Sequence, residues 1–366
     1  MVKIQEICRN YLIIHFFNCQ DLKTQVLNFK IAIMNFKDLQ ISFFKKVKEK
    51  LPPHISLPDV ISDYLNISND SAYRRIRGEK PLTLDEIEIL VRKTNISLDQ
   101  FFKVNNTTNE ICFTGKFIDR EVFDFEDYLT GIANQLKVFE EATEKEMFIF
   151  NKDIPIFLHF MFPELATFKC YFWSRYNLNS SKYNRGQFLI EDYIKSFNSI
   201  GRTISDLYIK IPSTEIWNVE CINTTIHQID YYRQSKIFKS TRDIITVYNC
   251  LEQMIDHIEQ QVECGCKFDY CKPAQSSIKY TFFINDYILG DNTILVKLDD
   301  KKMAFLVNNV INYLLTTSPV FVNYSFQTMD ILLKKSTLIS EIGERDREGF
   351  FDQLREKIYE RKKRVN

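Results

Sequence analysis

The sequence predicts a mainly α protein, with an N-terminal five-helix helix-turn-helix bundle and a larger, mostly helical α+β C-terminal domain. Three observations carry that reading. Through most of the chain apolar residues recur at three- and four-residue steps, the period of a helix with one buried face. Between residues 57 and 102 short segments of this kind are punctuated by caps, a polar turn and a glycine stop. A minority of strand is expected from β-prone runs at 147–150, 278–284 and 293–298.

The N-terminal elements come first. Phe43, Phe44, Val47 and Leu51 mark one helix, whose other side carries Lys45, Lys46, Lys48 and Lys50. A second helix presents Val60, Ile61, Tyr64 and Leu65 and ends in the turn Asn66-Ile-Ser-Asn-Asp70. Ser68, Asn69 or Asp70 can accept a hydrogen bond from the open amides of the helix that follows. On that third helix Ala72 and Ile76 share the inner face; Asp70, Ser71, Tyr73, Arg74 and Arg77 face outward, with Arg75 on the flank. Gly78 suits the positive φ that closes a helix, and Pro81 lies just beyond. Thr83 caps a fourth helix (Leu84, Ile87, Leu90, Val91), and Ser97 caps a fifth (Leu98, Phe101, Phe102).

The stretches Leu65-Asn-Ile-Ser68, Ser71-Ala-Tyr-Arg-Arg-Ile-Arg-Gly78, Pro81-Leu-Thr-Leu84 and Asn95-Ile-Ser97-Leu-Asp-Gln-Phe101 resemble the lambda-repressor-like (Cro/phage-repressor) helix-turn-helix, in the BetR-like form common in bacterial regulators. The resemblance covers about a fifth of the chain. Asn66 stands where the common form has a turn glycine, and Ala72-Tyr73 where it has Ile-Ser, so individual base contacts do not transfer. It implies a helix that enters the major groove of double-stranded DNA, with Ser68, Asn69, Asp70, Ser71, Tyr73, Arg74, Arg75, Arg77 and Lys80 as the DNA-binding residues.

Residues 1–33 read as a leader, or as an upstream extension of a protein that starts at Met34; residues 34–104 form the DNA-binding domain, 105–109 (Asn-Asn-Thr-Thr-Asn) a polar linker, and 110–366 an effector-binding or dimerisation domain. The apolar run Tyr11-Leu-Ile-Ile-His-Phe-Phe-Asn-Cys19 is too short for a bilayer and lacks a small-residue cleavage site, and no other segment offers a membrane span. Lys and Arg balance Asp and Glu over the whole chain, 48 against 48, so no global charge draws it to nucleic acid. Residues 36–103 carry twelve basic and ten acidic side chains, so DNA affinity depends on how charge is arranged.

In the large domain, helices are expected over 123–139, 188–200, 214–231, 241–262, 306–315, 328–333 and 345–363, with Ser213 or Thr214 capping the third. A strand is expected near 111–118, and a hairpin from 278–284 and 293–298 around Gly290-Asp-Asn. No phosphate-binding glycine loop, Gly-x-Ser-x-Gly elbow, HExxH or kinase signature occurs, so no catalytic residues and no cofactor are assigned. His159 reads as a core residue; Asp153 and Glu164 are spaced as if to border a pocket, and a helix cap and a solvated turn explain them equally well. Nine dispersed cysteines fit a reducing cytoplasm; Cys264, Cys266 and Cys271, with His257 or His227, lack a standard zinc spacing and are read as ordinary thiols. The segments 211–217 and 335–340, the latter with Glu341, Glu344, Arg345 and Arg347, read as a buried anchor and a helix start before an effector pocket or dimer contact.

The expectation is therefore a cytoplasmic, sequence-specific transcriptional regulator of bacterial type that acts as a homodimer on double-stranded DNA, its large domain serving to dimerise, to bind a small-molecule effector, or both. The alternative is a protein-interaction adaptor whose helix-turn-helix no longer binds DNA.

Overall fold

The computed structural model describes residues 36–52, 54–94, 96–98, 101, 111–115, 123–178, 183, 186–270, 277–287, 292–308 and 311–365. The expected leader and linker lie outside them. The chain divides into two compact units, one on each side of the boundary between Thr108 and Asn109.

The first unit contains α1 (Phe36–Glu49), α2 (Leu57–Leu65), α3 (Asn69–Ile76) and α4 (Leu84–Thr94). Phe43, Phe44 and Val47 of α1 pack with Ile61, Ala72, Leu90 and Ile96 in a small core of its own. The expected five-helix bundle is corrected to four described helices. After Ile96 only Ser97, Leu98 and Phe101 are described, with the Phe101 amide donating to the Ser97 carbonyl at 3.0 Å.

The second unit comprises β1 (Thr114–Gly115), α5 (Phe125–Glu141), β2 (Lys145–Phe150), α6 (Ile156–His159), α7 (Pro163–Phe172) with a π-helical turn at Trp173–Asn177, α8 (Ile190–Tyr208), β3 (Ser213–Trp217), α9 (Asn223–Gln234), α10 (Thr241–Cys264), β4 (Tyr280–Ile284), β5 (Thr293–Leu298), β6 (Lys301–Asn308), β7 (Asn312–Thr316), α11 (Pro319–Leu333), β8 (Thr337–Leu338) and α12 (Glu344–Lys362). It corrects the expectation of a mostly helical domain, because an eight-stranded mixed sheet in the order β1-β7-β6-β5-β2-β3-β4-β8 organises it. Strands β2, β3 and β4 are parallel neighbours, and the other pairings are antiparallel.

Alternation along the strands sends side chains to two cores. Met147 and Ile149 of β2 face the large helical core with Trp217, Phe282 and Val296. Phe148 and Phe150 face the other way, where Val322, Phe326 and Met329 of α11 cover them. With both faces covered, β2 and β3 lose the polar-apolar alternation of a half-exposed strand.

Three expected elements change for that reason. Residues 213–217 form a strand instead of the start of a helix, and the helix begins at Asn223. Residues 306–308 lie in β6 and 312–315 in β7, antiparallel partners with Asn308 opposite Asn312. The segments 278–284 and 293–298 contain strands, but these do not form a hairpin, since β2 and β3 lie between them. The helices expected over 123–139, 241–262 and 345–363 are present as α5, α10 and α12.

Candidate nucleic-acid interface

The turn before α3 is built by two residues. Asn66 adopts φ +50°, the left-handed conformation that asparagine tolerates better than most side chains. The Ser68 hydroxyl accepts from the Ser71 amide at 3.3 Å and caps the helix. Behind α3, Ala72 is fully buried, which lets α2 and α3 approach closely.

The exit from α3 is fixed from two sides. Gln40 of α1 donates to the carbonyls of Arg75 (2.6 Å) and Lys80 (2.8 Å), and its own oxygen accepts from the Leu82 amide at 3.0 Å. One side chain thus ties down both ends of the connection to α4. Gly78, at φ +68°, sits where a β-carbon would lie 2.7 Å from Lys37 Cγ.

Arg75 is the correction to the expected DNA-binding set. It is 3 % exposed, and its guanidinium is bound by Glu86, with Nη2 2.5 Å and Nε 3.0 Å from Oε1. Nη1 donates to the Ser71 carbonyl at 3.1 Å. The same Glu86 accepts from the Thr83 amide at 3.1 Å, while Thr83 Oγ1 accepts from the Glu86 amide at 3.3 Å. This is a capping box closing the start of α4. Arg75 therefore braces α3 against α4. The Arg75 guanidinium holds the Glu86 carboxyl below its ordinary value, and the Thr83 amide adds to the effect.

The other expected residues are divided between surface and scaffold. Tyr73 (45 % exposed), Arg74, Arg77 and Lys80 are exposed, as are Ser68, Asn69 and Asp70, while Ser71 is half-buried. The Arg77 guanidinium lies 5.6 Å from the centre of the Tyr73 ring, and 3.9 Å separates it from the Glu79 carboxylate. Asn69 is held by Asp59 of α2 at 3.1 Å. What α3 offers outward is one aromatic ring and two guanidiniums, with Lys80 beyond the helix end and Asp70 and Glu79 as acidic neighbours. Such a surface can meet phosphates and base edges. The Thr83-x-x-Glu86 spacing is legible in the sequence as a capping box, but nothing local announces that Glu86 also binds Arg75.

In the second unit the segment 211–217 is a buried strand whose Glu215 is fully enclosed. Its carboxylate accepts from Trp217 Nε1 (2.8 Å), Asn151 Nδ2 (3.1 Å), Ser213 Oγ (3.1 Å) and the Tyr208 hydroxyl. Segment 335–340 ties β8 to β4: Ser340 Oγ accepts from the Phe282 amide at 3.1 Å, and Ser336 Oγ accepts from Asn285 at 2.9 Å. Cys264 and Cys266 bring their sulfurs to 3.1 Å, Cys271 lies outside the described residues, and His257 Nε2 stands 3.1 Å from the Phe268 carbonyl. Among the described residues no group of three or more His, Cys, Asp or Glu could hold a metal. His159 is buried, with Nδ1 3.1 Å from the Pro155 carbonyl and Nε2 without a partner among the described residues. Of the two readings of Asp153, pocket border and helix cap, the structure shows the first: it lines a small internal space, and Pro155 stands at the N-cap of α6. Glu164 lies in the first turn of α7, where Cys250 Sγ approaches it at 3.7 Å. Among the described residues no helix is long and apolar enough to cross a membrane. Comparison with known proteins returns no match: no family model, no curated protein and no solved structure is similar to this chain.

Proposed function

We propose that the chain is a sequence-specific DNA-binding transcriptional regulator in which α3 reads the major groove and the second unit dimerises or receives an effector. The observation that carries this reading is the division of labour among three arginines: Arg75 is locked inward by Glu86, while Arg74 on the same short, capped helix and Arg77 at its C-cap stay exposed. A rigid helix presenting long cationic side chains supports insertion into a groove, where Arg pairs with guanine and phosphate. Lys45, Lys46 and Lys48 on the exposed side of α1 supply further phosphate contacts. A single module of this size makes few such contacts, so two copies on half-sites about a helical turn apart give usable affinity.

The test begins with selection of genomic fragments by the purified chain, followed by affinity measurement on the selected site. Arg74→Ala combined with Arg77→Ala is expected to weaken binding by about 1–3 kcal/mol for each arginine–base pairing that it abolishes. Unchanged affinity in the double variant rejects α3 as the reading helix.

A second reading is favoured by the acids on the same surface. Asp70 and Glu79 beside Arg74 and Arg77 make a mixed-charge face that also suits a protein partner. A protein-interaction adaptor of this kind binds DNA fragments no better than a polyanion competitor.

A further inference from the structure

An apolar cavity of about 620 Å³ lies in the second unit, between α5 and the β5–β7 part of the sheet. Ile132, Leu136, Phe139, Met147 and Phe305 line it, and its volume falls within the roughly 300–1,000 Å³ of small-molecule sites. Exposed Asp127 and Gly131 are also lining residues, so the cavity reaches solvent at that end of α5.

At its other side is an annex of about 50 Å³, and the two spaces share Tyr128, Phe157, Ile294, Ile311 and Tyr313 as walls. The annex is polar where the cavity is not. Lys169, 4 % exposed, lines it and donates to Gln228 Oε1 (2.6 Å) and Thr225 Oγ1 (3.1 Å). Those two acceptors are neutral; the ammonium also lies 5.1 Å from the centre of the Trp173 ring, and the Asp153 carboxylate favours its charged form. Trp173 also lines the annex, 6 % exposed, and its indole N–H has no hydrogen-bond partner among the described residues. Asp153, the one carboxylate lining the annex, accepts from the Thr224 hydroxyl. An unpartnered indole N–H beside a buried ammonium, next to an apolar chamber, favours a ligand that brings an acceptor oxygen to both.

We propose that the two spaces form one binding site for an amphipathic monocarboxylate, its apolar body in the cavity and its carboxylate in the annex against the Lys169 ammonium and the Trp173 N–H. Asp124 and Asp127 at the solvent end oppose an anion, but they are exposed and screened by water; Asp153 inside the annex opposes one too, with its charge set against the Lys169 ammonium and one oxygen held by the Thr224 hydroxyl. The inner donors therefore decide the sign of the ligand. The site gives the effector of the proposed regulator a chemical class. It rests on that reading only for its regulatory meaning, and its test contains no DNA, so either can fail alone.

The full chain is titrated with dodecanoate, dodecanol and dodecylamine below their micelle concentrations, followed by calorimetry and by indole fluorescence. The expected result is saturable binding, with the acid at least tenfold tighter than the alcohol or the amine. Lys169→Met removes the preference of acid over alcohol; Trp173→Phe, which deletes only the N–H side of the indole, reduces it. At Gly131 an added β-carbon meets nothing within 4 Å, so Gly131→Leu keeps the helix and fills the cavity, weakening all three ligands at least tenfold. Equal affinity for acid and alcohol, tighter binding of the amine, an unchanged preference in both annex variants, or no saturable binding of any chain overturns the proposal.

Discussion

Glu86 serves two elements with one carboxylate: it neutralises the buried Arg75 and it accepts from the amide of Thr83, the residue that caps α4. Removing one partner of a buried ion pair leaves the other charge uncompensated, at a cost of about 3–5 kcal/mol. Glu86→Ala is therefore expected to lower hydrogen-exchange protection of the α3 amides by about 3 kcal/mol. Because the Arg75 guanidinium holds the Glu86 carboxyl below its ordinary 4.5, its contribution is complete above that value and is lost as pH falls through the depressed folded-state value. Loosening of the first unit in acid, absent from Glu86→Ala, is the corresponding signature. Lys169 works in the opposite sense. Burial pulls its ammonium from 10.5 down to about 8. Below about 8 both states hold the proton and the burial penalty is fully present. Between about 8 and 10.5 only the unfolded chain holds it, so stability climbs with pH. Comparison with Lys169→Met cancels the other groups that titrate there: the stability of wild type relative to this variant should rise between about pH 8 and 10. A constant difference across that range contradicts the assignment. Neither residue's role is legible locally, since Arg75 looks like Arg74 and Arg77 in sequence, and Lys169 is a lone cation in an apolar run.

At the scale of elements, the two turns that flank α3 are where sequence and structure agree most closely. Asn66, Ser68 and Gly78 take the turn, cap and stop positions that their chemistry predicts. At Gly78 any other L residue is strained by the left-handed φ and also meets Lys37, so Gly78→Ala should cost about 1–2 kcal/mol. A denaturation midpoint unchanged by that substitution would show that the turn relaxes freely. The strands are less legible. Ile216 and Trp217 of β3 are buried on opposite sides of the sheet, so the segment lacks alternation and reads as the beginning of the next helix. In β6 and β7, Leu306, Leu314 and Leu315 fall at intervals a helix would also produce, and only pairing through Leu306 opposite Leu314 resolves them. Which strands become neighbours depends on contacts far apart in the chain, such as Met147 with both Ser213 and Val296, and no local pattern encodes these.

For the whole molecule, the two units differ in what they offer. The first is a small bundle whose own core includes Phe43, Phe44 and Val47, and whose outward chemistry is concentrated on α3 and α1. The second is a sheet covered on both faces, with a chamber large enough for a small molecule. The first unit's proposed role is readable from its motif-like punctuation. The chamber is not, because its walls come from α5, β2, β5, β6 and β7, which only the folded sheet brings together. With twelve basic and ten acidic side chains over residues 36–103, the proposed attraction to DNA would rest on the placement of a few cations, each phosphate contact registering in the salt dependence. The most direct measurement is a titration of the full chain with its selected DNA over a range of salt concentrations, beside Arg74→Ala/Arg77→Ala. The expected result is a linear fall of log affinity with log salt, made shallower by roughly one unit for each phosphate contact that the two substitutions remove. Binding that ignores salt, or a slope identical in the double variant, would contradict the account.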